Sequence, residues 1–237
     1  TLHAYTALRE YLGLPAEPDV RADRFFEVQP SLDVLDTLGV DVTFVKLRGP
    51  RNWQAPPAAG GVSFDEWGVG RRQVEVAPGV HLLEVVHSPL EGQDPSAIDL
   101  DAYPWPDPHD PGRVEGLEEE AHRLYEETDL ALMGRFGGTI MEQAAFLRGY
   151  QTWLMDLVLY PGFAADLLNR IAAIQIALDE AGLRAAGRSL SIFKLSGEDL
   201  GMQDRPLFSP AIWRDVLRPI LARRWKAARA VLDEVAP

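Results

Sequence analysis

Two acids and a glutamine follow a short apolar run in the last quarter of the sequence. The run covers residues 190–195, and Glu198, Asp199 and Gln203 come after it, before a helix start at Ser209-Pro210. The order strand, polar loop, helix is typical of α/β proteins, which carry catalytic groups in the loops after strand carboxyl ends. The two carboxylates are therefore candidate catalytic groups and Gln203 a candidate substrate ligand. Ordinary solvated loop residues are the alternative.

A second polar loop follows the apolar run at residues 130–133 and begins Arg135-Phe136-Gly137-Gly138. An arginine can bind a substrate carboxylate through two parallel hydrogen bonds, and glycines let a ligand approach the main chain. Arg135 and Phe136 are therefore candidate substrate-binding residues. Two alternatives stay open. For Arg135 the alternative is a structural ion pair with one of the acids, and for the glycines it is a tight strand-to-helix turn.

The common catalytic and metal-binding motifs are absent from the sequence. It has no cysteine, and its 5 histidines show no paired spacing, so no metal site is predicted within this chain. A G-x-S-x-G elbow is missing, and the glycine-rich loop lacks the Lys-Ser/Thr of a nucleotide site. Hydrolase and kinase functions are therefore disfavoured.

The charge balance bears on the partners of the protein. There are 36 acidic against 23 basic residues, which argues against nucleic acid and against an anionic membrane surface. No apolar segment is long enough to cross a bilayer, and no signal peptide opens the chain. We therefore expect a cytoplasmic protein, and a small-molecule substrate is its expected partner.

Helices and strands alternate along the regions that position the candidate groups. The final helix has an interior Pro219, which predicts a kink, and residues 140–160 are apolar on nearly every side, which predicts burial. Alternation without a linker predicts one domain over residues 1–237, with a mainly parallel sheet or barrel. Helices are predicted over 2–12, 30–38, 114–127, 140–160, 163–186 and from 210; strands over 40–47, 130–133 and 190–195; and a hairpin over 72–76 and 80–86.

Four segments together resemble the uroporphyrinogen decarboxylase family from about residue 65 onward. They are Asp-Glu-Trp-Gly at 65–68, Tyr-Pro-Trp-Pro-Asp-Pro at 103–108, Phe-Gly-Gly-Thr at 136–139, and Gly-Glu-Asp-Leu-Gly-Met-Gln at 197–203 with Phe-Ser-Pro at 208–210. The resemblance implies a (β/α)8 TIM barrel with its active site at the strand carboxyl ends. Complete members are longer, so an incomplete or trimmed barrel is expected here, without its C-terminal strands and extreme N-terminus.

The family resemblance implies two chemistries. Methyltransferase members move a methyl group between a small methylated compound and a corrinoid or thiol, using zinc, which here would be bound by residues beyond this chain. The corrinoid would be carried by a partner protein. Decarboxylase members act on uroporphyrinogen in haem biosynthesis without a cofactor. A non-catalytic tetrapyrrole-binding module is a third alternative, and a homodimer is expected.

Methyl transfer is favoured because a polyanionic tetrapyrrole needs several cations, whereas the predicted site has one arginine and two acids. The Asp-Glu-Trp-Gly and Tyr-Pro-Trp-Pro-Asp-Pro segments also resemble the methyltransferase-like members. Trp67 and Trp105 are predicted to bind substrate at the barrel mouth. The prolines on either side of Trp105 indicate either a rigid surface strap or the lining of a cleft.

Overall fold

The computed structural model describes residues 2–17, 28–77 and 79–235. The described residues form a mixed α/β structure with two small sheets. The helices are α1 Leu2–Tyr11, α2 Leu32–Leu38, α3 Leu117–Glu127, α4 Met141–Arg148, α5 Tyr150–Leu159, α6 Pro161–Ala186, α7 Pro210–Ile212 and α8 Arg218–Val235; the strands are β1 Val42–Val45, β2 Val62–Phe64, β3 Gly70–Ala77, β4 Val80–His87, β5 Ala131–Gly134 and β6 Ile192–Phe193.

The first sheet is parallel and has the order β1-β5-β6. Val45 pairs with Gly134 and Gly134 pairs with Phe193, so all three strands end at the same edge. The strands predicted over residues 130–133 and 190–195 are observed as β5 and β6, which pair in parallel, so the prediction of a parallel sheet is confirmed for them. The described strands form an open sheet, so the structure shows an α/β fold with a parallel sheet and helices.

The two faces of the parallel sheet differ in burial. On one face Val45 and Leu132 are fully buried in a core with α3, α6 and α8. The residues of the other face, here called the open face, are all partly or largely exposed. Residues alternate between faces along a strand, so the open face is formed by Val42, Phe44, Lys46, Ala131, Met133, Arg135, Ile192 and Lys194.

The second sheet is antiparallel and is inserted between β1 and α3. β3 and β4 form the predicted hairpin, and Gly79 in its turn has a φ of 72°. Most of β3 beyond Arg71 and most of β4 are exposed, so the hairpin projects from the body of the described structure. Its base is joined to the main hydrophobic core through Trp67 and Val69, which pack with α4, α5 and α6.

The prediction of one largely buried segment over residues 140–160 is wrong for its second half. The segment divides at Gly149, whose φ of 80° ends α4 and begins α5. Trp153 and Leu157 are buried, but Met155, Val158 and Leu159 are 53%, 67% and 65% exposed. The hydrophobic pattern does not predict this exposure, because it depends only on which side chains are apolar. Whether another element covers them depends on tertiary packing.

The last helical region begins as predicted and is irregular near Pro219. The Ser209 hydroxyl accepts a hydrogen bond from the Ile212 N–H, which makes it the N-cap. A π-helical turn, Trp213–Leu217, then joins α7 to α8, and Pro219 is the second residue of α8. The expected disruption by proline takes the form of this wider turn. No helix among the described residues is long and apolar enough to span a membrane.

Candidate functional site

Three cations lie side by side at the carboxyl edge of the parallel sheet. Lys46, Arg135 and Lys194 each come directly after a strand, one position beyond the paired residues Val45, Gly134 and Phe193. The ladder continues to this level, because Arg135 N–H donates to the Val45 carbonyl and Lys194 N–H to the Gly134 carbonyl. Neighbouring strands are about 4.8 Å apart, so the backbone positions of this cation row span about 10 Å.

The cation row lies on the open face. The Lys46 ammonium and the Arg135 guanidinium each lie 5.8 Å from the centre of the Phe44 ring, which places both on the same side of the sheet as that ring. Lys194 follows Ile192 by two residues and shares its face. A chain of net charge −13 thus has a local group of positive charge where parallel strands end.

The glycine loop after β5 is held by buried side chains from α6 and α8. Asp179 accepts a hydrogen bond of 2.7 Å from Gly137 N–H, and Gln175 accepts one of 2.5 Å from Gly138 N–H. Arg224 donates to Asp179 at 2.6 Å and to the Gly138 carbonyl at 2.7 Å. A Cβ on Gly137 would lie 2.5 Å from Arg224 Nη2, so a side chain does not fit there. The structure supports the tight-turn alternative for this loop.

Glu198 fixes the start of α4. One carboxylate oxygen accepts a hydrogen bond from Ile140 N–H at 2.7 Å, and the other accepts one from Met141 N–H at 2.8 Å. Burial raises the pKa of the Glu198 carboxyl above its usual range, while these two backbone donors and the nearby Arg224 oppose the rise. A carboxylate at a helix N-terminus is stabilised by the orphan N–H groups and the helix dipole. Glu198 therefore positions the loop after β5.

The other predicted site residues lie in different environments. The Asp199 carboxylate is exposed and accepts a long hydrogen bond of 3.4 Å from Gly201 N–H. Gln203 is also exposed. Phe136 is 8% exposed and stacks on Phe193 with ring centres 6.0 Å apart, so its ring lies in the core and not on the open face. The alternation of side chains past β5 explains why Phe136 and Arg135 point to opposite faces.

Trp67 and Trp105 contact each other within an aromatic cluster. Their rings meet edge to face with centres 6.2 Å apart, and the Tyr103 hydroxyl donates to the Trp67 carbonyl at 2.5 Å. Trp67 is 4% exposed, and Trp105 packs against the same core. The structure therefore brings together the two sequence segments to which these tryptophans belong, and it packs the Pro-rich segment onto the core.

A surface cavity lies apart from the carboxyl edge of the parallel sheet. It has a volume of about 620 Å³ and is lined by Asp99, Asp101, Asp166 and Arg170, among others. Asp101 forms an ion pair with Arg170, and Asp99 accepts hydrogen bonds from backbone N–H groups of its own turn. Among the described residues, no group of three His, Cys, Asp or Glu side chains is placed to hold a metal ion.

Sequence reasoning did not single out Lys46, Lys194, Asp179 or Arg224. A basic residue lies close to the end of each predicted strand, but only the register of the strands shows that the three residues are neighbours. Asp179 and Arg224 come from helices 42 to 87 residues away from Gly137, and no local pattern joins them. No family model, curated protein or solved structure matches the chain.

Proposed function

We propose that this protein is an enzyme of the uroporphyrinogen decarboxylase type that binds an anionic small molecule at the open face. The row of Lys46, Arg135 and Lys194 is the observation that carries the proposal. Three cations at neighbouring strand ends form an electrostatic site for carboxylate groups. Binding and catalytic groups occupy this edge of parallel sheets in both open and closed α/β folds.

In this proposal, β1, β5 and β6 are an arc of a (β/α)8 barrel and the open face is its interior. Two observations support this arrangement: the strands are parallel, and the helices α3, α6 and α8 pack on one face only. A parallel sheet normally has both faces covered, and in a barrel the interior face is covered by side chains from the other strands.

The reaction that we propose is methyl transfer between a small methylated compound and a corrinoid or thiol acceptor. Support comes from the sequence resemblance of residues 65–68 and 103–108 to methyltransferase-like members. Zinc would activate a thiol acceptor in such an enzyme. The described residues do not fit a zinc site, since no set of three suitable ligands is placed together, so zinc would need ligands from elsewhere. A corrinoid would be supplied by a partner protein.

Within this chain, Arg135 and the two lysines would bind the anionic group of the substrate. Glu198 is proposed as a positioning residue, because both of its oxygens already accept hydrogen bonds from the start of α4. Asp199 is the more exposed acid of the pair and is retained as the candidate for proton transfer to or from the substrate.

Decarboxylation of uroporphyrinogen is the second candidate, and the cation row favours it. Arg135 is the one cation among the site residues predicted from the sequence, which argues against a substrate with many carboxylates. The structure adds Lys46 and Lys194 at the same edge, so the charge objection to a polyanionic substrate becomes weaker.

Metal analysis and turnover assays of the full protein test these proposals together. Bound zinc and methyl transfer from a methylated donor, without release of carbon dioxide from uroporphyrinogen, are expected. Release of carbon dioxide by metal-free protein would support the decarboxylase. Tetrapyrrole binding without either turnover would indicate the non-catalytic module.

In an active protein, Lys194→Ala should raise KM more than it lowers kcat, whereas Asp199→Asn should lower kcat if Asp199 transfers the proton.

A further inference from the structure

We propose that the open face binds an amphiphilic acid, meaning a small molecule with a flat apolar body and a carboxylate at one end. This inference rests on the proposed function and names the class of its substrate. It comes from the arrangement of two rows of side chains across the same three strands.

The first row is apolar. Phe44 pairs with Met133, and Met133 pairs with Ile192, so one residue from each strand contributes to a continuous strip. Phe44 and Met133 are partly exposed and Ile192 is 39% exposed, so the strip is accessible from the open face. Aromatic, thioether and aliphatic groups at this spacing form a surface for a ring or a short hydrocarbon body.

The second row is the cation row, two residues further along each strand. Two residues of a strand advance about 6.6 Å, which is close to the distance from the far edge of a six-membered ring to an attached carboxylate. An acid whose ring lies on Phe44 and Met133 would therefore place its carboxylate beside Arg135. Lys46 and Lys194 flank this position on either side, at the spacing of neighbouring strands.

The aromatic ring of Phe44 strengthens the argument for a ligand with both parts. Lys46 and Arg135 each lie 5.8 Å from the centre of this ring, so the positive charges border directly on apolar surface. A neutral ligand would contact the apolar strip without using the positive charge of the cation row, and acetate would lack the apolar contact. Arg135 also has contacts elsewhere in the protein, and it would bind the ligand through its position and its charge.

Binding of three simple probes to the full protein tests this inference by calorimetry. Benzoate should bind, whereas benzamide, which has the ring without the charge, and acetate, which has the charge without the ring, should bind at least tenfold more weakly. Benzoate affinity should fall as salt is raised, because the carboxylate is held by partly exposed cations.

Variants locate the site. Arg135→Ala and Lys194→Ala should each weaken benzoate binding, the first by tenfold or more, and Met133→Ser should weaken it as well. Lys226→Ala removes an exposed cation from α8 and should leave benzoate binding unchanged. Lys194 is exposed, so its variant is expected to fold even where Arg135→Ala does not.

The inference is overturned if benzamide binds as tightly as benzoate, if benzoate does not bind, or if both cation variants bind it like the wild type. These outcomes differ from failure of the proposed function. Benzoate binding at this face without turnover of any candidate substrate would contradict the enzyme and leave the ligand class intact. Turnover without benzoate binding would contradict the ligand class alone.

Discussion

At the scale of single residues, Glu198 shows how the pKa of a partly buried carboxylate is set by opposing effects. Burial penalises its charged form, whereas two backbone N–H groups and Arg224 favour that form. Burial is the largest of these effects, so the folded protein retains this proton to higher pH than the unfolded chain does. The ordinary pKa of the group is 4.5, and the folded value lies above it.

The pH dependence of stability should therefore contain a contribution from Glu198. It is fully favourable below pH 4.5 and is lost as the pH rises through the folded pKa, because the unfolded chain releases its proton first. The free energy of unfolding of the wild type relative to Glu198→Gln should fall over this range in urea titrations. The difference in free energy of unfolding between the wild type and Asp199→Asn, followed over the same pH range, measures the general effect of removing one acid. A difference that rises with pH would contradict this assignment.

At the scale of elements, a buried ion pair joins α6, α8 and the loop after β5. The side chains of Arg224 and Asp179 are 1% and 2% exposed, and each also bonds to the backbone of the glycine loop. Removing one partner leaves the other charge buried without an opposite charge beside it. The free-energy cost of that uncompensated charge is larger than the net stabilisation that the pair provides. The placement of Arg135, two residues before Gly137, depends on this loop.

Substitution of Arg224 should be far more damaging than substitution of its neighbour. Arg224→Met is expected to lower the free energy of unfolding by about 3 to 5 kcal/mol, because Asp179 is left as an unpaired buried charge. Arg223 is exposed and donates to Asn169 at 3.0 Å, so Arg223→Met should cost about 0.5 kcal/mol or less. Chemical denaturation measures both values. Equal losses in the two variants would contradict the proposed role of the buried pair.

Two glycines of α6 provide a second contrast at this scale. A Cβ on Gly182 would overlap the ring of Phe136, whereas a Cβ on Gly162 would meet no atom within 4 Å. Helix propensity alone predicts that alanine stabilises a helix relative to glycine by up to about 1 kcal/mol. Gly162→Ala should therefore be neutral or slightly stabilising, and Gly182→Ala should be destabilising by about 1 to 3 kcal/mol because of overpacking. Thermal unfolding distinguishes them, and a stabilising Gly182→Ala would show that Phe136 is not packed as described.

At the scale of the whole molecule, the exposed side of α5 carries a group of apolar side chains. Met155, Val158 and Leu159, here called the α5 apolar face, carry no charge, and Asp156 of the same helix is buried against Arg148. Two copies of a chain with net charge −13 repel each other over most of their surfaces. An uncharged apolar face adds no charge repulsion of its own and makes apolar burial available.

We predict that two copies of the protein associate through the α5 apolar face. Light scattering after gel filtration should show a dimer for the wild type and a shift towards monomer for Leu159→Glu, which introduces charge into this face. Tyr125→Gln is the matched control, since Tyr125 is 56% exposed on α3, away from α5 in the sequence. A monomeric wild type, or a dimer that Leu159→Glu does not weaken, would overturn the prediction.

Much of the local structure could be predicted from the sequence, because its determinants are local. Apolar spacing and glycine stops place α1, α2, α3 and α6 close to their observed bounds, and the Ser209-Pro210 cap places the start of α7. The β3–β4 hairpin and the three parallel strands follow from short, largely apolar segments bounded by turn residues. The loops after β5 and β6 were also identified as the places where chemistry would be found.

The roles of individual side chains were decided by the tertiary structure. The register of the three strands places Lys46, Arg135 and Lys194 in one row. The alternation of side chains between the two faces of the sheet places Phe136 in the core. Glu198 was identified by sequence, but its hydrogen bonds to the start of α4 depend on a contact across 57 to 58 residues. The sequence determines which groups are present and where strands end, since these depend on neighbouring residues. Which groups meet depends on packing between distant segments, and no local pattern encodes it.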